Sequence, residues 1–219
     1  MRRIARVFAV AVLALWVVSA AFGINPDNLN RVTFVNNTGF DIWYLFFSPG
    51  DSEYWGADIL GTNRTLNDGE KVSFYIHYPD FANEFDFMAV DEDGDAYYIW
   101  NYEIRDDTPA MIEITLENYD GSATVPQLAE VNLTNDTGYE MWYIFFSPGD
   151  SMMWGVDMLD DETILFDGDS LNLYVPVSSD ATRYDFQGVD EDEDVYEFWV
   201  ELSDQQESYS FLIELSDLQ

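Results

Sequence analysis

The chain has 219 residues, of which 43 are acidic and only eight are lysine or arginine, so its formal net charge is -35. Binding to phosphate backbones requires clustered basic residues, and this balance therefore excludes nucleic acid as an expected partner. Phenylalanine, tryptophan and tyrosine make up 17% of the chain, more than acidic disordered segments contain, so we expect a folded protein with a core. The chain contains no cysteine, which excludes a disulfide framework.

The first 23 residues predict a secretory signal peptide. Arg2, Arg3 and Arg6 precede an apolar run that ends in small residues, which is the pattern of a cleavable export signal. The apolar run is about long enough to span a bilayer, so an uncleaved anchor is the alternative. Removal of residues 1–23 leaves five basic residues against the same 43 acidic ones, a net charge of -38. We expect a secreted or periplasmic protein that leaves the membrane after cleavage.

Residues 31–118 and 130–217 are two copies of one sequence, called here the first copy and the second copy. They align without a gap at an offset of 99, with 33 identities in 88 positions. This spacing predicts tandem domains, because solenoid repeats are only about 20 to 50 residues long. Residues 119–129 are rich in small and turn-forming residues and form the predicted linker. Since the linker is short, we expect the two domains to touch.

Each copy contains a series of short strand patterns. Residues 72–78 and 111–116 place apolar side chains at alternate positions, as do residues 171–177. Residues 40–48, FDIWYLFFS, are apolar on both faces, which is typical of a central strand covered on each side. Only residues 51–60 and 150–159 suggest a helical turn or two, after an aspartate or serine cap. The prediction is an all-β chain of two tandem small antiparallel β-sandwich domains with little helix, and a closed barrel is the alternative.

Acidic residues are concentrated at predicted turns in both copies. The segments VDEDGDAYYIW and VDEDEDVYEFW carry aspartate at alternate positions, and the repeated SPGDS segment adds one aspartate, with another seven residues later. Calcium takes six to eight oxygen ligands, so these carboxylates are candidate ligands. The candidate calcium ligands are Asp91, Asp93, Asp95, Asp51 and Asp58 in the first copy, and Asp190, Asp192, Asp194, Asp150 and Asp157 in the second. The alternatives are a plain charged hairpin tip and a capped turn.

One position of this acidic turn differs between the copies. The first copy has Gly94 where the second has Glu193. If the glycine adopts a left-handed conformation, which side chains other than glycine rarely adopt, the second hairpin is expected to turn differently.

Catalytic chemistry finds little support in the sequence. The single histidine, His77, lies on a predicted strand, where we expect it to be partly exposed, and Pro176 replaces it in the second copy. The serines of the SPGDS segments therefore have no repeated base to activate them. One histidine and no cysteine also argue against zinc, iron and copper sites. We predict that the protein is not an enzyme and that calcium is its one candidate cofactor.

Tryptophan occurs at three matched positions in each copy. In the strand that contains Trp100, Tyr98 is matched by Glu197 in the second copy, so the face shared by Tyr98, Trp100 and Trp199 is predicted to point away from the core. Exposed aromatic rings there are candidates for binding sugar rings or for a seam between the domains, and a covering second layer is the alternative. Trp55 and Trp154, each followed by glycine, are predicted core residues.

These motifs together resemble a group of uncharacterised secreted bacterial β domains. The motifs are N-x-T-G at 36–39, S-P-x-D-S at 48–52, W-G-x-D-x-L at 55–60 and V-D-E-D-G-D-x-Y at 90–97, and each recurs 99 residues later with the change at Glu193. The resemblance implies a secreted β domain and brings no activity with it.

Three functional hypotheses follow. The first is an exported, non-enzymatic protein of two β-sandwich modules that acts in binding or surface association with a protein or glycan partner, with calcium as a candidate cofactor. The second is a soluble acidic structural protein without a discrete site, since high net charge keeps proteins dispersed. The third is a carbohydrate-binding or glycan-acting module, which depends on the tryptophans and on paired carboxylates.

Overall fold

The computed structural model describes residues 29–79, 83–105, 110–122, 125–160 and 162–219. Secondary structure in these residues is almost entirely β, which confirms the predicted fold class. The predicted signal peptide, residues 1–23, lies outside the described residues. Within the described part of the chain, no helix has the length and apolar character needed to cross a membrane.

The described strands follow the two copies. Those of the first copy are β1 (Leu29–Asn37), β2 (Ile42–Pro49), β3 (Lys71–His77), β4 (Glu84–Asp91), β5 (Ala96–Glu103) and β6 (Ala110–Thr115), followed by a 3₁₀ helix at Leu116–Asn118. Those of the second copy are β7 (Gln127–Asp136), β8 (Met141–Pro148), β9 (Gly155–Val156), β10 (Ser170–Val177), β11 (Thr182–Asp190), β12 (Val195–Leu202) and β13 (Ser208–Glu214), with a 3₁₀ helix at Leu215–Asp217. Strand β7 begins inside the predicted linker.

Each copy contains two three-stranded layers of the same topology. The orders are β6-β1-β3 and β2-β4-β5 in the first copy, and β13-β7-β10 and β8-β11-β12 in the second. Neighbouring strands are antiparallel as predicted, except that β6 lies parallel to β1 and β13 lies parallel to β7. These pairs are parallel because β6 and β13 reach their sheets by crossing over from the opposite layer, whereas antiparallel neighbours can be joined by a hairpin.

Apolar side chains fill the space between the two layers. Phe34 of β1 meets Phe87 of β4 edge to face, with ring centroids 5.0 Å apart, and both residues are buried. This contact joins the two sheets of the first copy and belongs to one core cluster that extends through both copies. The alternating strand patterns therefore identify the inward faces correctly.

Strand β2 lies at the edge of its sheet, so the prediction of a central strand is wrong. From Leu45 onward its side chains are buried on both faces, although Trp43 is 49% exposed, and the segment after it folds back over the open edge. The backbone N–H of Ile59 donates to the carbonyl of Leu45 at 2.9 Å, and Gly56 donates to Phe47 at 2.7 Å. This segment protects the edge as an irregular cover without helical turns, so the suggested helix is also absent from residues 51–60.

The two copies exchange backbone contacts reciprocally along a shared seam. The N–H of Asp58 donates to the carbonyl of Tyr174 at 2.7 Å, and the equivalent N–H of Asp157 donates to the carbonyl of Tyr75 at 2.8 Å. Each cover segment therefore extends the β1-type sheet of the other copy. The same residues act on both sides, which is the pattern of an isologous interface.

The SPGDS segments add a second reciprocal set of contacts. Ser52 donates its hydroxyl to Asp150 at 2.7 Å, and Ser151 donates to Asp51 at 2.5 Å. The second carboxylate oxygen of each aspartate accepts the backbone N–H of the residue after the opposite serine. The expectation that the copies touch is met, and identical sequence in both copies is what makes the exchange symmetric.

His77 is buried in this seam, so the prediction that it is partly exposed is wrong. It pairs with Gly155 of β9 and is 8% exposed, and its ring packs edge to face on Phe145 with centroids 6.1 Å apart. Burial lowers the pKa of His77 to about 4. The second copy supplies the covering strand, which the local sequence around His77 does not reveal.

Candidate functional site

The acidic hairpin tip of the first copy is organised around Asp91. This residue is 2% exposed, and one carboxylate oxygen accepts the backbone N–H groups of Asp93 at 3.0 Å and Asp95 at 2.9 Å. The other oxygen accepts the hydroxyl of Tyr97 at 2.9 Å. Asp91 therefore holds the turn closed, while Asp93 and Asp95 are exposed.

The second copy builds the same tip around Asp190. Its carboxylate accepts the N–H groups of Asp192 and Asp194 and the hydroxyl of Tyr196 at 3.0, 2.9 and 3.0 Å. Glu193 adopts a φ of 66°, close to the 83° of Gly94. The expectation of a different turn is wrong, because the bonds to Asp190 keep the left-handed conformation.

The other predicted calcium ligands lie elsewhere on the molecule. Asp91 pairs with the first residue of the eight-residue strand β2, whereas Asp51 follows the last residue of that strand. At about 3.3 Å per residue the two ends are roughly 23 Å apart. Asp150 sits in the seam with Asp51. Among the described residues, no three acidic, histidine or cysteine side chains are grouped so that they could hold a metal ion. Calcium binding stays a prediction.

Asp58 and Asp157 are buried and bind backbone. One oxygen of Asp58 accepts the N–H groups of Leu45 at 2.8 Å and Leu60 at 3.1 Å, and Asp157 makes the matching pair of bonds in the second copy. Burial raises the pKa of Asp58 to about 8 and that of Asp157 well above its usual value. Both side chains fix the cover segments to the sheets.

The outer face of the first copy carries three aromatic rings in mutual contact, called here the aromatic face: Trp55, Tyr98 and Trp100. Tyr98 and Trp100 are stacked, with centroids 4.9 Å apart and planes 4° apart, and Trp55 is tilted against Trp100 at 5.9 Å. Trp100 is 58% exposed, so it points away from the core as predicted. Trp55 is half-buried on this outer face and Trp154 is half-buried as well, which corrects the assignment of both to the core.

A small apolar layer supports the aromatic face from beneath. It contains the buried Phe46, Met88 and Val90, and Tyr44, Trp55, Tyr98, Val125 and Leu128 pack against it. Val125 and Leu128 come from the predicted linker, which thus covers part of this face and leaves Trp100 open.

A strained backbone position adjoins Trp100. Asn101 adopts a φ of 54° within an irregularity of the β4–β5 ladder, and its N–H donates to Asp86 at 2.6 Å. Bulges of this type re-aim neighbouring side chains and are common beside functional sites. In the first copy Trp100 and Asn101 both oppose Asp86, whereas in the regular ladder of the second copy Trp199 alone opposes Asp185.

The same face of the second copy is polar. Trp199 is also 58% exposed, but the guanidinium of Arg183 lies 5.3 Å from the centre of its ring. The Nε–H of Arg183 donates to Asp185 at 2.6 Å. Glu197 replaces the stacked tyrosine and accepts a hydrogen bond from Gln187. Sequence reasoning singled out Trp199 and missed Arg183, although an arginine in so acidic a chain is itself a signal.

Two shallow cavities, of about 250 and 430 Å³, border the seam. The larger contains most of the basic residues that follow the predicted signal peptide, together with an equal number of acids: Arg31, Arg64, Lys71, Glu70, Asp160 and Glu162. Arg64 of the first copy is ion-paired with Asp160 of the second. Balanced charges of this kind join the copies and give the cavity no net charge to attract an anion.

Comparisons with known proteins identify no family. No family model matches the chain, and no curated protein matches it. A solved structure described as a "putative adhesin" from Bacteroides ovatus covers 86% of this chain and 91% of its own, with 8% sequence identity and a TM-score of 0.23. A likeness at that score supports no conclusion about fold or function.

Proposed function

We propose that this is an exported, non-enzymatic protein that binds a partner through the aromatic face of its first copy. The observation that carries the proposal is the contact of Trp55, Tyr98 and Trp100 on an outer surface, with Trp100 58% exposed. Aromatic rings supply large contact areas and dominate many binding surfaces. The apolar layer beneath them keeps the rings in place before a partner arrives.

Folding needs alone do not account for the aromatic face. The second copy forms the same strands with Glu197 in place of Tyr98 and without the bulge that contains Asn101. A strained backbone position costs about 1 to 3 kcal/mol, and such positions cluster at functional sites. The first copy retains both a strained backbone and exposed rings, which supports a role in recognition.

The buried ionisable groups support a non-enzymatic role. His77, the one histidine, is 8% exposed at the seam, and Asp58 is enclosed in the core with a carboxylate oxygen bound to two backbone N–H groups. General acid–base catalysis requires a titratable group within reach of a substrate. His77 and Asp58, whose pKa values burial alters strongly, thus lie in the interior of the protein, where they contact other parts of the chain.

The test is a titration of the purified protein with two classes of probe, followed by tryptophan fluorescence and calorimetry. The probes are neutral oligosaccharides of glucose, mannose and N-acetylglucosamine, and a hexa-arginine peptide. We expect at least one class to bind and Trp100→Ala to weaken it about tenfold or more, because the contacts of one aromatic side chain at the centre of a binding surface reach this size. Trp199→Ala is the matched control and should leave that binding unchanged.

Three outcomes separate the hypotheses. Oligosaccharide binding that depends on Trp100 would support the glycan partner, and peptide binding that depends on Trp100 would support a protein partner. Binding of neither class, or equal effects of the two substitutions, would overturn the proposal and favour an acidic structural protein without a discrete site.

A further inference from the structure

The second copy holds a cation on its exposed tryptophan. Arg183 lies over the ring of Trp199 at 5.3 Å and donates to Asp185 at 2.6 Å. A guanidinium within about 6 Å of a tryptophan ring is attracted by the negative face of the ring. The carboxylate of Asp185 faces Trp199 across the β11–β12 ladder, so the ring and the acid hold the cation together.

The first copy has the same tryptophan and aspartate, but an acidic residue stands at the position of the arginine. Trp100 matches Trp199, Asp86 matches Asp185, and Glu84 stands where the second copy has Arg183. One charge is therefore reversed at an otherwise matched position. Asp86 remains beside the ring, since it binds the N–H of Asn101, the residue that follows Trp100.

Glu84 and Arg183, which carry opposite charges, occupy matching backbone positions in the two copies. The N–H of Gly50 donates to the carbonyl of Glu84 at 2.8 Å, and the N–H of Gly149 donates to the carbonyl of Arg183 at 2.8 Å. The side chain of Glu84 thus begins from the position at which Arg183 begins. The first copy therefore has a carboxylate at the position from which, in the second copy, a guanidinium reaches the tryptophan ring.

We infer that the aromatic face binds the guanidinium of an arginine in a basic peptide or protein segment, in the place that Arg183 occupies in the second copy. The inference rests on the proposed function, because it names the ligand of the same face. Trp100 supplies the ring, and Asp86 and Glu84 supply the negative charge.

The charge of the whole protein favours the same class of partner. The chain beyond residue 23 has five basic and 43 acidic residues, which repel anionic ligands and attract cationic ones. Long-range attraction of this kind raises the rate of encounter, and it is screened beyond about 8 Å at physiological ionic strength. Contact with the ring of Trp100 then binds one guanidinium at a defined place, which long-range attraction alone does not do.

Hexa-arginine and its uncharged isostere hexa-citrulline are the probes that test this inference by calorimetry in 0.15 M sodium chloride. We expect hexa-arginine to bind with one site per chain and hexa-citrulline to bind at least tenfold more weakly, because the ureido group lacks the charge. Trp100→Ala should weaken peptide binding about tenfold, within the range of cation–aromatic contacts.

Charge swaps between the copies provide the sharper test. Glu84→Arg should place a guanidinium of the protein itself on Trp100 and abolish peptide binding. Arg183→Glu should uncover Trp199 in the second copy and raise the number of peptide sites per chain from one to two. Glu207→Arg, an equal change of charge at an exposed residue outside the face, is the control and should preserve binding at Trp100.

The outcomes distinguish failure of this inference from failure of the proposed function. Equal effects of Glu84→Arg and Glu207→Arg, or equal binding of the two peptides, would overturn the guanidinium site. Oligosaccharide binding that depends on Trp100, without peptide binding, would also overturn it and leave the proposed function intact. Probe binding that ignores Trp100 would overturn both.

Discussion

Trp100 and Trp199 occupy the same position in the two copies and are equally exposed, yet their surroundings are opposite in character. Trp100 stacks on Tyr98 next to Asp86, whereas Trp199 lies under Arg183 next to a hydrogen-bonded Glu197. The carboxylates that close the hairpin tips and the SPGDS contacts of the seam, in contrast, make the same hydrogen bonds in both copies. The two copies thus share these stabilising hydrogen bonds and differ on the outer face that carries Trp100 or Trp199.

The difference teaches which features the fold requires. A contact that both copies make, such as the one between the SPGDS segments, is needed for the symmetric seam. A feature that one copy lacks, such as the left-handed Asn101, is dispensable for forming the strands. If this division is right, substitutions in the shared seam should destabilise the fold most, and a change of salt should affect it least.

The largest loss of stability is expected from a substitution of Gly155, a seam residue whose backbone conformation differs from that of its equivalent in the first copy. A Cβ on Gly155 would lie 2.3 Å from the ring of Phe47, and its φ is +70°. A Cβ on Gly56, its equivalent, would also lie close to this ring, at 2.5 Å, but Gly56 has no positive φ. Gly155→Ala should lower the free energy of unfolding by about 3 kcal/mol or more, because overpacking and backbone strain add. Gly56→Ala should cost less in urea denaturation.

A glycine in open space separates the two contributions. Gly168 has a φ of +82°, and a Cβ added to it would meet no other atom within 4 Å. Gly168→Ala should therefore show strain alone, about 1 to 2 kcal/mol. If Gly155→Ala were no more destabilising than Gly168→Ala, the packing of the seam against Phe47 would be disproved.

The second prediction concerns the buried aspartates, which the two copies share. Burial raises the pKa of Asp58 to about 8. The folded state therefore binds a proton that the unfolded state releases near pH 4. The resulting stabilisation is present at low pH and is lost as the pH rises through 8, with a slope of up to about 1.4 kcal/mol per pH unit for each group.

Urea denaturation between pH 6.5 and 8 measures this slope. The window avoids His77, whose lowered pKa of about 4 makes its protonation destabilise the folded state between about pH 4 and 6.5. Asp58→Asn keeps an oxygen for the N–H groups of Leu45 and Leu60 and should flatten the slope, and addition of Asp157→Asn should flatten it further. Asp93→Asn controls for the loss of one exposed charge. A slope unchanged in the double variant would contradict the protonated state of these groups.

The third prediction exploits the hairpin tips. Glu193 holds a φ of 66° that Gly94 adopts in the first copy without strain. Glu193→Gly should raise the free energy of unfolding by about 1 kcal/mol, since a side chain in the left-handed region costs this much. The expected rise in melting temperature is about 2 to 4 °C for a chain of this size.

Two variants control for the change of charge. Glu193→Gln removes the charge and keeps the strained side chain, so it should reproduce little of the gain. Gly94→Glu should impose the strain on the first copy and lower its stability by a similar amount. A gain as large with glutamine as with glycine would mean that repulsion, rather than backbone conformation, limits the second tip.

The smallest effect is expected for calcium against sodium. Asp91 and Asp190 already accept three hydrogen bonds each, so we expect 2 mM calcium chloride to raise the melting temperature no more than sodium chloride of equal ionic strength. Both salts should stabilise relative to low salt with EDTA, because screening limits repulsion to about 10 Å at 0.1 M. A calcium-specific rise, lost when Asp91, Asp93, Asp190 and Asp192 are changed to asparagine, would establish the predicted ion sites.

Features that depend on residues close together in the chain could be predicted from the sequence. The offset of 99 residues identified the two copies, and the alternation of residues 72–78 placed Phe74 and Ile76 in the core. The occurrence of Glu197 on the face of Trp199 showed that this face points outward. These inferences succeeded because side-chain alternation depends only on strand geometry, which neighbouring residues set.

Tertiary structure alone decided what depends on distant partners. Trp55 contacts Trp100 on the outer face because it lies in the segment that covers the edge of β2. His77 is buried because the equivalent segment of the second copy pairs with its strand. The parallel pairing of β6 and the edge position of β2 likewise depend on which strand reaches which layer. Periodicity within one segment reports how that segment meets its own sheet, and it contains no information about the strand, loop or second copy that closes the other side.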